Sequence, residues 1–410
     1  MKKIFTVLLI ALICFSSLYA EEAAATTEPA ASTTDYKADF KSDYDKTPAA
    51  YSYAGSRFVP TNARMAAMGG AGLSLVKAEN GLFINPASLA EGSFKLSLPS
   101  VSVTLYHVYD ILNNKLIDKV KEDNKDALVT AILDTVGTET APLLSADAST
   151  SFVLPFGLGF GIYARDTVYT SSGTVIDYVE TSAALGYAYG FNFGDFRLSA
   201  GVTGKMNVIA FNQRLKLANV IKSEDIKKMS LNIAVGASIP VIDLGLTAEW
   251  KGLSASVVLS NLFASYKMGI VNTSIEKIAE TAKSKIEYND FTIDTTPSLD
   301  AGIGYEFDSS LFGFAAAVDM KDLLGLFREF KDGETGRVIM KHLNAGVEVG
   351  LIDMFMLRGG FSSGYFTVGA ALDFFALRIE AAYYWNEYGR VAGQKGLDGL
   401  TIRFNLGYER

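Results

Sequence analysis

Apolar side chains recur at every second residue through most of this 410-residue sequence, in runs too long for an ordinary soluble strand. Phe196, Leu198, Ala200, Val202, Met206 and Val208 alternate with Arg197, Ser199, Gly201, Thr203, Lys205 and Asn207. Leu253, Ala255, Val257 and Leu259 alternate with Ser254, Ser256, Val258 and Ser260, and Leu299, Ala301, Ile303, Tyr305 and Phe307 with Asp300, Gly302, Gly304 and Glu306. The pattern persists to the end, where Leu400, Ile402, Phe404, Leu406 and Tyr408 face away from Thr401, Arg403 and Asn405. A period of two places all the apolar residues of a run on one face of a β-strand.

Alternation does not say what solvent meets the apolar face. Length does: the runs are about 9 to 13 residues, enough to cross a bilayer when tilted, whereas globular strands average roughly five or six. Aromatic residues gather at the ends of the runs (Trp250, Tyr305 with Phe307, Tyr383 with Trp385, Phe404 with Tyr408), as in the interfacial girdles of membrane barrels. The other face is Gly, Ser, Ala and scattered charge, which suits an enclosed lumen better than a solvated exterior. The chain is 49% hydrophobic and 20% charged, yet past its N-terminus it has no apolar run of the length a membrane helix needs. These features predict an all-β transmembrane antiparallel barrel of outer-membrane type whose apolar surface partners are outer-membrane lipids.

Runs at 93–108, 148–155, 157–166, 181–194, 196–209, two within 230–262, 298–307, 312–320, 342–351, 354–361, 365–374, 375–385 and 399–409 make about fourteen strands, the even number such barrels use. The long connections, 109–147, 167–180, 210–229, 263–297, 321–341 and 386–398, then fall on one side, the outer surface. Several carry helical spacing: Leu112, Leu116, Ile117 and Val120; Leu128, Ile132 and Val136; Ile275, Ile278 and Ala279; Leu323, Leu324 and Phe327. The first of these groups, Leu112, Leu116, Ile117 and Val120, is a candidate landing site for hydrophobic molecules.

Four segments follow from composition. Residues 1–20 have a positive start, an apolar stretch and a small residue at Ala20, and read as a secretory signal peptide. Residues 21–50, rich in Ala, Thr, Asp and Lys, read as a disordered acidic tether. Residues 51–92 are dense in Gly and Ala and too poor in bulky residues to fold alone, so they read as a hatch inside the barrel formed by 93–410. In that hatch Gly69, Gly70 and Gly72 permit close packing, and Asn85, Pro86 and Ala87 favour a tight turn, marking a substrate path.

Other chemistries find little support. A net charge of −8 argues against a nucleic-acid partner. The one cysteine, Cys14, lies in the leader, and His107 and His342 are isolated, so the sequence predicts no catalytic site, metal or cofactor. Lumen-facing charges (Arg197, Lys205, Asp300, Glu306, Asp319, Glu348, Arg358, Asp373, Arg378, Glu380 and Arg403) either line a solute path or brace the hatch.

The blocks ARMAAMGGAG (63–72), NPASLA (85–90), LSASVVLSNL (253–262), HLNAGVEVG (342–350) and LRGGF (357–361) resemble the FadL-like group of outer-membrane proteins, in particular its PorV/PorQ and spirochaetal UPF0164 branch. The resemblance implies a fourteen-stranded barrel with an N-terminal hatch that holds Asn85, Pro86 and Ala87. It implies passive uptake of a hydrophobic small molecule such as a long-chain fatty acid or, in the PorV branch, a non-transporting scaffold or shuttle for secreted or envelope proteins. Barrels of this kind also meet the barrel assembly machinery during insertion, which commonly reads a terminal aromatic residue. Here the chain ends Tyr408-Glu409-Arg410, so that cue is displaced.

Overall fold

A computed structural model describes residues 35–53, 59–92, 94–114, 116, 124–223, 225, 228–277, 281, 286–309, 311–330, 334–352, 354–374, 376–389 and 391–409. The strands are β1 (Lys95–Tyr106), β2 (Ala141–Val153), β3 (Leu158–Ser171), β4 (Thr174–Phe193), β5 (Phe196–Asn212), β6 (Leu215–Lys216), β7 (Ser230–Trp250), β8 (Leu253–Leu262) and β9 (Ser265–Ser274). They continue as β10 (Phe291–Asp294), β11 (Ser298–Asp308), β12 (Phe312–Met320), β13 (Leu343–Leu351), β14 (Phe355–Ser362), β15 (Tyr365–Phe374), β16 (Leu377–Glu387) and β17 (Gly396–Glu409). Each pairs antiparallel with its neighbours, and β1 pairs with both β2 and β17, so the sheet closes on itself.

The wall is fourteen strands around. Strand β9 continues β8 and β11 continues β10, with long β7 pairing β8 along its lower half and β9 along its upper half. Strand β6 is a two-residue ladder on β4. The two strands expected within 230–262 are therefore β7 and β8, and the stretch from Pro240 to Trp250 belongs to β7.

One end of the barrel has short turns, among them 154–157, 194–195 and 251–252, and the other carries the longer loops, so the sidedness expected from the sequence holds. Two connections differ, for 263–297 holds the strand residues Ser265–Ser274 and Phe291–Asp294. Residues 167–180 are not a long loop: β3 and β4 run on to a tight turn at Ser172-Gly173, both with positive φ (47° and 76°), the conformation that matches strand twist in a hairpin. Likewise β2 begins at Ala141 rather than 148. Above the bilayer these strands carry polar residues on both faces, as at Arg165, Asp166 and Thr167, so alternation stops while pairing continues.

Across the stretches that alternate, the apolar residues point outward. Phe160, Leu185, Leu246, Val257, Ile303, Val318, Leu357 and Phe404 are all exposed on the outer face, where hydrocarbon and not water must be the solvent. Exposed Tyr189, Phe193, Phe196, Trp250, Phe307, Phe312, Phe355 and Phe374 ring the short-turn end, the expected girdle. Among the described residues no helix is long and apolar enough to cross a membrane.

The N-terminal region packs inside. It comprises helix α1 (Tyr36–Lys46), a 3-10 turn at Pro48–Tyr51, α2 (Ala63–Ala67), a 3-10 turn at Leu73–Leu75, α3 (Ala78–Gly81) and a 3-10 turn at Pro86–Glu91. The signal-peptide expectation, residues 1–20, lies outside the described residues. The tether expectation for 21–50 is corrected from Tyr36 onward: α1 is a capped helix, with Asp35 accepting from the Lys37 and Ala38 amides, and its Phe40 is wholly buried. Average composition concealed the cause. Tyr36, Phe40 and Tyr44 stand four residues apart and form one aromatic stripe along a helix.

Candidate functional site

The lumen is the one compartment that this fold encloses, and its inward-facing residues divide it into a braced middle and an apolar outer chamber. The middle is set by the hatch. Gly69, Gly70 and Gly72 all have positive φ (69°, 81° and 120°). Gly69 lies so close to the Phe361 backbone that no Cβ fits. The turn these glycines form aims the amides of Gly72 and Leu73 at one Asp319 oxygen, at 2.8 and 2.9 Å. Wall glycines answer in kind: Gly346 and Gly360 leave room for Met68, and Gly201 for Pro86.

Asn85 is buried at 1% exposure and ties the hatch to two strands and to itself. Its amide nitrogen lies within hydrogen-bond distance of Thr247 Oγ1 (3.1 Å), Leu73 O (3.2 Å) and Ser256 Oγ (3.3 Å), and its carbonyl accepts the Ala87 amide at 3.1 Å. A Cβ at Gly245 would come 2.6 Å from that carbonyl, so the wall is small where Asn85 needs space. The structure brings Asn85, Pro86 and Ala87 together against the paired glycines Gly201 of β5 and Gly245 of β7, and Gly69, Gly70 and Gly72 as a second contact against β12–β14.

The lumen charges pair with each other and with the hatch. Arg64 reaches Glu306 (3.2 Å) and Glu348 (2.8 Å); Arg358 bridges Glu348 (2.5 Å) and Glu380 (2.7 Å); Lys77 holds Glu306 at 2.9 Å. Arg165 donates to Val59 O and Thr61 Oγ1, Arg403 to Thr61 O, and Arg197 to Ala90 O. Lys205 and Asp243 form a 2.7 Å pair with both side chains fully buried, Arg378 pairs with Asp373, and Asp300 accepts the Asp322 amide at 2.9 Å. Removing one partner of the Lys205–Asp243 pair strands a buried charge, at a cost of roughly 3–5 kcal/mol. These charges act as braces. Beside them, a cavity of about 40 Å³ bordered by Arg64, Met68, Glu380 and Arg403 is too small for an organic solute.

Toward the long-loop end the inward face changes character. Ile176 and Tyr178 of β4, Ile209 and Phe211 of β5, Tyr266, Met268 and Ile270 of β9, and Ile293 of β10 are all buried in one apolar cluster, with Phe291 packed against it. Helix α1 stops this chamber. The Phe40 ring lies 6.0 Å from Phe211 and 6.3 Å from Phe291, and Tyr44 lies 4.8 Å from Phe291. At the rim, Arg214 grips Asp43 through two nitrogens at 2.6 and 3.1 Å, Tyr51 OH donates to Asp43 at 2.6 Å, and Lys37 meets Asp290 at 3.1 Å. Burial opposes ionisation of Asp43, but hydrogen bonds from Arg214 and Tyr51 and the Arg214 charge outweigh it and hold the carboxyl below its ordinary value of 3.8. The helix is thus anchored by one fully buried side chain, worth about 1.5–3 kcal/mol, and by rim pairs worth about 0–1 kcal/mol each.

At the short-turn end lies a half-open vestibule of about 340 Å³ lined by Lys77, Glu91, Arg197, Glu249, Lys251 and Glu306 among others. The loop predictions fare unevenly. Leu112 is 62% exposed whereas Leu116 is 9% exposed, and Ile117 and Val120 lie outside the described residues, so the proposed landing stripe is not one surface. Helices do form at Lys125–Val136 and Leu323–Glu329, and Ile275 opens a short 3-10 turn. His107 caps the helix Val108–Asn113 in a left-handed conformation, and His342 bonds Lys321 O (2.7 Å) and Glu329 (3.1 Å), so the two histidines serve separate loops. Sequence reasoning missed the chamber, although Ile209 and Phe211 break the polar register of β5 in plain sight.

No family model matches the chain, and no curated protein does. Among solved structures, the Pseudomonas putida toluene transporter TodX is similar at 13% identity, covering 86% of this chain and 98% of that one, with a TM-score of 0.41. The translocator domain of the autotransporter NalP from Neisseria meningitidis is similar at 11% identity over 78% of this chain and 89% of that one (TM-score 0.37). The outer membrane phospholipase A from Escherichia coli is similar at 10% identity over 76% and 95% (TM-score 0.26).

Proposed function

We propose that the protein is an outer-membrane channel through which hydrophobic small molecules, long-chain fatty acids among them, pass by passive diffusion. The observation that carries this reading is the apolar lining of the inner wall toward the long-loop end, which Phe40 fills. A pore for ions gains nothing from Tyr178, Ile209, Phe211, Met268 and Ile293 on its inner face. A solute that partitions into such a chamber gains what the protein interior gains, roughly 25 cal/mol for each Å² of apolar surface removed from water. The braced hatch below closes the path, so passage requires the hatch to shift. TodX, whose name describes a toluene transporter, fits the same reading without carrying it.

The test is uptake of radiolabelled oleate into proteoliposomes. Wild-type protein should accelerate uptake over empty vesicles, and Phe211→Asp should remove most of the gain by putting a charge in the chamber. Wild-type protein that moves no oleate but copurifies with a stoichiometric protein partner supports the scaffold alternative instead.

A further inference from the structure

Helix α1 sits where a solute entering from outside first meets the chamber. Its sequence, YKADFKSDYDK, is polar on all but one face, and Phe40 is its one fully buried residue. The ring is held among rings: Tyr51 at 6.1 Å, Phe211 at 6.0 Å and Phe291 at 6.3 Å. Tyr44 packs beside it, 5.3 Å from Tyr51 and 4.8 Å from Phe291, and the charged anchors of the helix lie at the rim. The Lys37–Asp290 pair has side chains 36% and 16% exposed, and the Asp43–Arg214 pair 16% and 24%. Beyond the helix, Tyr53 stacks on Tyr169 of β3 at 4.3 Å and donates to Thr140 O, so the chain is anchored again just after the 3-10 turn.

We propose that Phe40 is a resident placeholder in a ligand site: the chamber between β5, β9 and β10 takes an apolar group about the size of a phenyl ring, and the ligand occupies it by displacing α1. This rests on the reading that apolar solutes cross the barrel, and adds where the solute first lodges and what it expels. Three features carry it. The chamber already encloses a benzyl ring completely. The displaced helix would expose Phe40 and two tyrosines whose hydroxyls water can solvate, on a helix whose remaining residues are mostly charged. Its anchorage is also divided, between an aromatic contact of Phe40 flanked by Tyr44, which an apolar ligand can replace, and rim pairs that water and salt weaken.

The experiment places a nitroxide at Lys41, on the helix but outside the chamber, in full-length protein carrying Cys14→Ser, and titrates bromobenzene and oleate separately in lipid nanodiscs. The expected result is a saturable change from an immobilised to a mobile spectrum, with Phe40→Ala mobile before any ligand is added. In a second variant, Lys37→Cys with Asp290→Cys bridged by a cleavable bismaleimide, flux into proteoliposomes should fall at least tenfold and return on cleavage, corresponding to about 1.4 kcal/mol or more. Asp43→Asn, which weakens the Arg214 clasp at the rim, should lower the ligand concentration needed for release. If flux proceeds unchanged through the bridged protein and the nitroxide never mobilises, the placeholder role is overturned while the channel stands. If neither the bridged nor the wild-type protein passes or binds either probe, both readings fall.

Discussion

At the residue scale, the hatch depends on a few side chains that satisfy several partners at once. Asn85→Ala removes the link among Thr247, Ser256 and Leu73 and leaves buried hydroxyls to find other partners, a loss of about 1–3 kcal/mol. Hydrogen exchange across residues 82–90 should accelerate accordingly while exchange in the strands stays as it was. Unchanged exchange in 82–90 would mean that the wedge is held by packing alone. The Asp43 clasp has a defined pH signature. Its carboxyl is depressed when folded, so its contribution is fully present above the ordinary value of 3.8 and is lost as pH falls through the lower folded value. The Lys41 nitroxide should therefore stay immobilised from neutral pH down to about pH 4 and mobilise below it. Mobilisation near neutrality would assign the clasp to another group.

At the scale of elements, the strands were legible because the membrane imposes a rule on them. Every outward residue between the girdles must be apolar, so Phe196 to Met206 or Leu253 to Leu259 announce both strand and face. Legibility ended where that rule ends. Above the bilayer, β3 and β4 mix polar and apolar residues on both faces, and the hairpin at Ser172-Gly173 was taken for a loop. Helix α1 was hidden for a different reason: its stripe of Tyr36, Phe40 and Tyr44 is too sparse to lift an average over 21–50. The hatch was readable in outline, since a segment so rich in Gly and Ala needs a container, but its braces depend on pairs as distant in sequence as Arg64 with Glu306 and Glu348. The strand assignment makes a sharp prediction about faces. Leu185→Arg, on the lipid side of β4, should destabilise the barrel by about 2–4 kcal/mol, whereas Gly204→Arg, on the same face of β5 but replacing no apolar side chain, tests depth alone. Reversible urea unfolding in lipid bilayers reads both, and a Leu185→Arg protein as stable as wild type would mean that this face does not meet hydrocarbon.

For the whole molecule, architecture and electrostatics divide the work. The outer surface dissolves the barrel in lipid, the polar middle fixes the hatch through ion pairs, and the outer chamber offers an apolar stopping place that the chain itself fills. Because the braces close the middle of the lumen, the intact protein should show almost no ionic conductance in a planar bilayer, and deletion of residues 59–92 should open a steady pore. An intact protein that conducts as freely as the deletion variant would show that the hatch does not seal. The central claim is that an apolar molecule occupies the lumen, and crystals grown with a bromine-tagged fatty acid test it most directly. The account predicts anomalous bromine density inside the barrel, beside Phe211 and Phe291 where Phe40 now lies; bromine found only on the outer belt among Leu185, Leu246 and Val257 would contradict it.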